Sequence, residues 1–316
     1  MFATLLGALP PPPSEGADTS DRARAAVRAA IRAQEAAGLE PITDGRLSGH
    51  DFDGLPDMAM IVEAWRFAAA ETDRAVKQAL PGPYSIGRRL AAAGRATART
   101  AATARAAEAL RAIVSELAAA GCPLVEIEET DAHLIGEDDG ERELFRQAHG
   151  RLTDGISGTH LSLSIVGGSA WSAGLETILG APYASLAVDL IAGPDNWNLV
   201  TRLPGERGVI AGALPPHDSP ADAKETLLWA ARYAAGSKGR GLDRVGLGSA
   251  GSFANLTWEA AVQKLQRLGE AARLATSPGG AQLASELDPR AVSARVAALG
   301  HVPEQRALRP RTKRRS

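Results

Sequence analysis

The sequence predicts a single-domain α/β fold, a (β/α)8 TIM barrel, on three observations. Short β-like runs alternate with long helical patterns, which is typical of parallel βα units. The chain has 316 residues, enough for one barrel of roughly 250 residues with insertions. An open dinucleotide-binding sheet would need Gly-x-Gly-x-x-Gly after its first strand, but here Gly7 is followed by Ala-Leu-Pro.

Eight runs are predicted as strands because they are apolar or alternating and lie between turn residues. They are 3–7, 39–43, 80–85, 124–127, 159–165, 185–190, 208–212 and 244–248. The helical patterns cover 20–37, 56–78, 95–120, 138–152, 171–179, 195–202, 220–235 and 258–275. Gly38 follows the first helix as a C-terminal glycine, and Thr257 can cap the last helix.

Composition is that of an ordinary globular chain. Hydrophobic residues make up 45% and charged residues 23% of it, which excludes disordered and collagen-like classes. Lys and Arg (35) nearly balance Asp and Glu (37), so no overall basic field attracts nucleic acid or anionic lipid. The single cysteine, Cys122, excludes an internal disulfide. Because it precedes the fourth predicted strand, we expect a buried structural thiol.

The ends of the sequence predict a cytoplasmic protein. Residues 1–9 are apolar but lack a basic segment, and four prolines follow, so we expect no signal peptide. No run approaches the roughly 18 apolar residues that a membrane span needs. We expect residues 1–305 to form the barrel and the basic residues 306–316 to be a disordered tail.

The active site of such a barrel lies at the carboxyl ends of the strands and in the loops that follow. Polar residues from several predicted strands can therefore converge on one mouth. These are Asp44, Arg46, His50 and Asp51 from the second strand, Glu128, Glu129, Asp131 and His133 from the fourth, His160 and Ser162 from the fifth, Asp189 from the sixth, and Ser249 and Ser252 from the eighth.

Six segments, in this order and spacing, resemble the C-terminal catalytic barrel of cobalamin-independent methionine synthase, within the wider uroporphyrinogen-decarboxylase-like group. They are 3–10 (Ala-Thr-Leu-Leu-Gly-Ala-Leu-Pro), 38–45 (Gly-Leu-Glu-Pro-Ile-Thr-Asp-Gly), 81–85 (Pro-Gly-Pro-Tyr-Ser), 125–129 (Val-Glu-Ile-Glu-Glu), 208–210 (Gly-Val-Ile) and 259–265 (Glu-Ala-Ala-Val-Gln-Lys-Leu). The resemblance extends from residue 3 to about residue 274 and implies the same barrel fold.

In that family, zinc activates a thiol that attacks the methyl group of methyltetrahydrofolate, and its ligands are a His-x-Cys pair, a Glu and a second Cys. The resemblance places His160 at the histidine but Ser162 at the first cysteine. Only Asp189 or Asp195 could replace the glutamate, and segment 248–252 has no cysteine. Neutral serine is a poor zinc ligand. We therefore expect that zinc is absent and that the chain has no metal ligands.

The amino-acid pocket of the family also differs. Its Asp-Gly-Glu, whose glutamate receives the substrate ammonium, reads Asp44-Gly45-Arg46 here, and Glu128 stands at a family aspartate. A guanidinium at this point disfavours homocysteine and favours a carboxylate or phosphate. Alternatively, Arg46 neutralises Glu128 and Glu129. Because adjacent strand residues face opposite sides, we expect one of these two glutamates in the pocket, and the family motif indicates Glu128.

These observations lead to the hypothesis of a zinc-independent methyl or one-carbon transferase that acts on a small anionic molecule other than homocysteine. His160 would assist proton transfer, Glu128 and Arg46 would orient the acceptor, and Asp189 is a further catalytic candidate. The predicted substrate-binding residues are Asp44, Arg46, Asp51, Ser85, Glu129, Ser162 and Ser249. Methyltetrahydrofolate is a candidate cosubstrate. A non-catalytic ligand-binding barrel and a metal-free lyase or decarboxylase remain alternatives.

Overall fold

The computed structural model describes residues 1–13, 19–49, 52–95, 98–217, 223–280 and 282. Within them, parallel strands form one curled sheet with helices packed on its outside, as the sequence predicts. The strands are β1 (Phe2–Thr4), β2 (Lys77–Pro81), β3 (Leu124–Glu129), β4 (His160–Ile165), β5 (Ser185–Asp189), β6 (Gly208–Leu214) and β7 (Val245–Ser249). Their order in the sheet is β1-β7-β6-β5-β4-β3-β2.

Helices connect the successive strands. They are α1 (Thr19–Ala37), α2 (Met58–Ala70), α3 (Pro83–Ala92), α4 (Arg99–Ala119), α5 (Asp139–Thr153), α6 (Leu175–Leu179), α7 (Trp197–Arg202), α8 (Lys224–Gly236) and α9 (Trp258–Thr276). Helices α1 and α2 lie between β1 and β2, and α3 and α4 lie between β2 and β3. Thr257 caps the last helix by accepting a hydrogen bond from the Ala260 amide. No helix among the described residues is long and apolar enough to cross a membrane. The predicted tail, residues 306–316, lies outside the described residues.

The second predicted strand, 39–43, fills the gap between β1 and β2 although it pairs at few points. The Glu40 amide donates to the Ala3 carbonyl, and Ile42 forms a parallel bridge to Val76. Pro41 has no N–H to donate, which keeps the pairing short. The curled sheet is therefore closed toward a barrel by this segment.

The third predicted strand is wrong at its end. The strand β2 stops at Pro81, and α3 begins at Pro83, two residues before the end of the predicted strand. Proline is well suited to the first position of a helix because that residue needs no amide partner. The predicted helix 56–78 is also too long, since α2 ends at Ala70 and Lys77 already belongs to β2.

Two apolar regions hold the barrel together. The larger lies between the sheet and the helices, and it contains the fully buried Cys122, whose pKa is raised by burial to about 11. This agrees with the expected structural thiol. The smaller lies inside the barrel, where Leu6, Ala187 and Ile210 pack together with Phe2. The rest of the interior near β3 and β4 is polar, and this polarity provides the candidate site.

Helices α1 and α9 approach each other closely at Gly269, and this contact gives a stability test. A Cβ at position 269 would lie 1.8 Å from the Ala37 carbonyl oxygen. We expect Gly269→Ala to lower the free energy of unfolding by roughly 1–3 kcal/mol through overpacking, although alanine has the higher helix propensity.

Gly150 in α5 is the matched control because a Cβ there would meet nothing within 4 Å. Gly150→Ala should raise stability by up to about 1 kcal/mol through helix propensity alone. Urea unfolding of the two variants measures both effects. An equal gain in both variants would contradict the close packing of α9 on α1.

Candidate active site at the carboxyl end of the barrel

Arg46 reaches the barrel mouth from an unusual turn after the segment 39–43. Gly45 and Arg46 both have positive φ, +68° and +59°, a conformation that costs a non-glycine residue about 1 kcal/mol or more. Asp44 stabilises the turn, since its Oδ1 accepts the Arg46 amide at 2.9 Å and its Oδ2 accepts the Ser48 hydroxyl at 2.5 Å. Asp44 therefore positions Arg46.

The guanidinium of Arg46 forms an ion pair with Glu128 at the carboxyl end of β3. Its central carbon lies 3.5 Å from the ring centroid of Phe52. The side chains of Arg46 and Glu128 are only 17% and 4% exposed. The Nε of Arg46 is buried and has no hydrogen-bond partner among the described residues. One N–H donor of the pair is therefore not engaged by any described residue.

Burial governs the acidity of Glu128. Removal from water raises the pKa of its carboxyl group above the ordinary 4.5, and the positive charge of Arg46 only partly opposes this shift. A carboxyl group with a raised pKa binds protons more readily near neutral pH than an exposed one. Glu128 and Arg46 together can accept a proton and bind an anion.

Glu129 faces the opposite side of the sheet, as the alternation predicts. Its carboxylate accepts the Tyr84 and Ser85 amides at 2.9 and 2.8 Å, at the beginning of α3, and also the Ser85 hydroxyl. The Nε2 of His149 lies 3.0 Å away. Glu129 and Ser85, both predicted to bind substrate, are instead fully buried in a network that anchors α3 to β3.

The structure also uses Asp189 and Ser249 to hold loops. Asp189 accepts the amides of Ile191 and Ala192, each at 2.8 Å, and burial raises its pKa. The Ser249 hydroxyl accepts the Leu6 amide and donates to the Leu6 carbonyl. Their polar atoms are engaged by backbone. The predicted site residues His50 and Asp51 lie outside the described residues.

His160 lies at the other end of the barrel. It is the first residue of β4, and Glu128 is paired in register with Ser164, four residues further along that strand. At about 3.3 Å per residue, roughly 13 Å of strand separates the two levels. The Nε2 of His160 contacts the Ser185 hydroxyl at 2.8 Å. The structure therefore brings Arg46 and Glu128 together but leaves His160 apart from both.

The residues at the family zinc positions do not fit a zinc ion. His160 is at the amino end of its strand, Asp189 is at the carboxyl end of the next one, and Ser162 is a neutral hydroxyl. No group of three or more His, Cys, Asp or Glu side chains in the described part of the chain is arranged to hold a metal.

Sequence reasoning missed two parts of this interior. Phe52, which covers Arg46, follows no recognised motif. Lys77 and Glu126 form a buried ion pair at 2.8 Å, with side chains 1% and 2% exposed. The period-two alternation of β3 places Glu126 on the same face as Glu128, so the sequence did indicate that Glu126 faces the barrel interior. Because Lys77 was assigned to the predicted helix 56–78, its pairing with Glu126 was not predicted.

Comparison with known proteins identifies the fold. No protein-family model matches the sequence, and no curated protein matches it significantly. A B12-independent methionine synthase from Shewanella sp. W3-18-1, in complex with selenomethionine, is similar in structure with a TM-score of 0.71 and 15% identity, covering 86% of this chain and 96% of that one. A putative vitamin-B12 independent methionine synthase from Listeria monocytogenes gives 0.63 and 16%, covering 86% and 97%.

A third similar structure, a methyltransferase from Methanosarcina mazei, has a TM-score of 0.50 and 14% identity, covering 68% of this chain and 64% of that one. At these identities the likeness concerns the fold. The chain has the barrel fold of these methionine synthases, which confirms the fold that the sequence resemblance implies.

The raised pKa of Glu128 predicts how stability depends on pH. Above 4.5, the unfolded chain has released a proton that the folded chain still holds at Glu128. Stability from this group is therefore complete below 4.5 and is lost as pH rises through the raised pKa. Glu128→Gln does not titrate, so the unfolding free energy of the wild type minus that of this variant should fall with pH.

Urea unfolding at a series of pH values measures this difference. Asp139→Asn serves as the control, because the Asp139 side chain is 98% exposed and its replacement should leave the pH profile unchanged. A difference that grows with pH would show that the charge of Arg46 outweighs burial, and it would contradict the raised pKa of Glu128.

Proposed function

We propose that this chain is a one-carbon transferase that moves a methyl group to a small anionic acceptor at the carboxyl end of the barrel, without zinc. The fold supports a methyl-transfer reaction, because the similar structures are described as methionine synthases and a methyltransferase. The observation that supports this site is the buried pair of Arg46 and Glu128.

Glu128 supplies the proton acceptor that methyl transfer to a protonated nucleophile requires. The acceptor, X–H, gives its proton to the Glu128 carboxylate as it forms the X–CH₃ bond. At the same time, the bond between the methyl group and the nitrogen of the methyl donor breaks. The proton then passes to that nitrogen, so the products are X–CH₃ and the N–H form of the donor. The raised pKa of Glu128 brings this carboxyl closer to the proton affinity that general base catalysis needs.

Arg46 supplies the anion-binding group. Its buried Nε has no partner among the described residues, and it can donate to a carboxylate or phosphate oxygen of the acceptor. The Phe52 ring and the Asp44 turn hold the guanidinium in place before the acceptor arrives. A preorganised cation of this kind favours an anionic acceptor over a homocysteine zwitterion, whose ammonium it would repel.

A second candidate is a barrel that binds an anionic small molecule at the same mouth without turnover. The separation of His160 from Glu128 favours it, because His160 then cannot assist proton transfer at the carboxyl end. Asp189 does not fill this role, since its carboxylate oxygens accept backbone amides.

The test supplies methyltetrahydrofolate labelled with ¹³C in its methyl group together with pools of carboxylated or phosphorylated thiols, amines and hydroxy compounds. We expect a new ¹³C-methyl signal by NMR with one pool. Glu128→Gln should reduce the rate by about 10²-fold or more, as for loss of a general base. Arg46→Lys should chiefly raise KM, because lysine lacks the guanidinium geometry.

Asp139→Asn is again the control and should transfer the methyl group at the wild-type rate. Binding of a pool member that Arg46→Lys weakens, without any new methyl signal, would establish the second candidate. Turnover that is unchanged in Glu128→Gln would contradict the proposed chemistry.

A further inference from the structure

A cavity opens at the amino end of the barrel, opposite the mouth that holds Arg46 and Glu128. Its volume is about 530 Å³, within the range of roughly 300–1,000 Å³ typical of small-molecule sites. The first residues of successive strands line it, among them Leu124, His160 and Ser185. In barrels of this class the amino end serves stability, so an open cavity with two reactive side chains at that end needs a functional explanation.

His160 and Ser185 form a hydrogen-bonded pair in the wall of this cavity. The Nε2 of His160 lies 2.8 Å from the Ser185 hydroxyl oxygen. Because this nitrogen is the partner of the hydroxyl among the described residues, the O–H is satisfied when Ser185 donates to a neutral imidazole. A serine hydroxyl is a weak nucleophile until an adjacent base takes its proton, which requires a separation of roughly 2.6–3.2 Å. The pair therefore has the geometry of an activated serine.

Burial keeps His160 in the form that acts as a base. Removal from water lowers the pKa of its imidazole below the ordinary 6.5. At neutral pH the ring is therefore uncharged, and one of its nitrogens has a lone pair that can accept the Ser185 proton.

Space for a substrate lies beside the Ser185 hydroxyl. Gly208 is paired in register with Ser185 on the neighbouring strand, and both residues line the cavity. A Cβ at position 208 would lie 3.0 Å from the Ser185 Cβ. Since Ser185 is only 4% exposed, a larger residue at position 208 would cover its hydroxyl. Glycine leaves that side of the nucleophile open.

The rest of the lining defines the class of substrate. The wall is largely apolar and favours an apolar acyl chain; it includes Phe2, Leu124 and Ile210. Three of the four exposed charged residues of the lining are acidic: Glu40, Glu206 and Asp243, against Arg244. This excess of negative charge disfavours an anionic substrate.

We propose that Ser185 and His160 form a further catalytic centre, which hydrolyses small neutral or cationic carboxylic esters in the amino-end cavity. The Ser185 oxygen bonds to the carbonyl carbon of the ester while its proton passes to His160 Nε2. The bond from that carbon to the alcohol oxygen then breaks, and His160 gives the proton to this oxygen. Water cleaves the acyl-serine by the same steps, which releases the carboxylic acid and restores both residues. This activity is independent of the proposed methyl transfer, since it lies at the opposite end of the barrel.

The first test compares three 4-nitrophenyl esters with four-carbon acyl chains on the full chain: the neutral butyrate, the anionic hemisuccinate and the cationic 4-(trimethylammonio)butyrate. Release of 4-nitrophenol measures turnover. The neutral and cationic esters should be hydrolysed above the protein-free rate, and the hemisuccinate severalfold more slowly at low salt. For the neutral ester, kcat/KM should rise with pH to a plateau, with a midpoint below 6.5 where His160 loses its proton.

Two variants and a covalent probe assign the chemistry to the pair. Ser185→Ala should reduce hydrolysis to the protein-free rate. His160→Gln should lower kcat/KM by about 10²-fold or more, as for loss of a general base, and should abolish its pH dependence. An alkyl fluorophosphonate should label Ser185 of the wild type, as located by peptide mass spectrometry, and this result stands even if a variant fails to fold. Ser115→Ala, which removes an exposed hydroxyl on α4, should leave labelling and hydrolysis unchanged.

Four results would overturn the proposal: hydrolysis of none of the esters above the protein-free rate, labelling at a residue other than Ser185, hydrolysis that Ser185→Ala or His160→Gln leaves unchanged, and turnover of the hemisuccinate as fast as that of the butyrate. If methyl transfer fails while Ser185 is labelled and the butyrate is hydrolysed, the amino-end centre stands without the proposed function.

Discussion

The alternation of side chains along β3 is the constraint on which this structure depends. It directs Glu126 and Glu128 into the barrel and Glu129 outward, toward the helices. A buried carboxylate is costly unless charges or hydrogen bonds compensate it, and each of these three has its own compensation. Lys77 pairs with Glu126, Arg46 pairs with Glu128, and the first amides of α3 together with His149 hold Glu129. The side chains of β3 thereby determine the ion pair inside the barrel and the ion pair at its mouth, and they hold α3 in position.

Local patterns predicted most of the fold, and the errors occurred where a distant contact decides the local structure. The alternation of strands and helices, the Thr257 cap and the inward direction of Glu128 follow from sequence spacing. The run 80–85 reads as a strand by its composition. Its last three residues become the beginning of α3 because the Glu129 carboxylate, 44 and 45 residues away in sequence, accepts the Ser85 and Tyr84 amides. Spacing within the run contains no sign of that contact.

The candidate site was predicted in part for a similar reason. The sequence left two roles open for Arg46, an anion-binding group or a counter-ion for glutamate. The structure shows the contact with Glu128 and also a buried Nε that has no partner among the described residues. Both the barrel argument and the family resemblance assigned His160 to the mouth, although its place at the beginning of a predicted strand favours the amino end. The position of His160 at the beginning of β4 determines its location, and His160 lines a cavity at the amino end of the barrel.

The chemistry proposed for the barrel mouth requires that Glu128 is a buried carboxyl group with a raised pKa that faces the Arg46 cation. The most direct measurement is a ¹³C NMR titration of the Glu128 side-chain carboxyl in the wild type and in Arg46→Met. We predict a midpoint above 4.5 that rises further when the cation is removed. A midpoint below 4.5, or one that Arg46→Met leaves unchanged, would contradict this assignment.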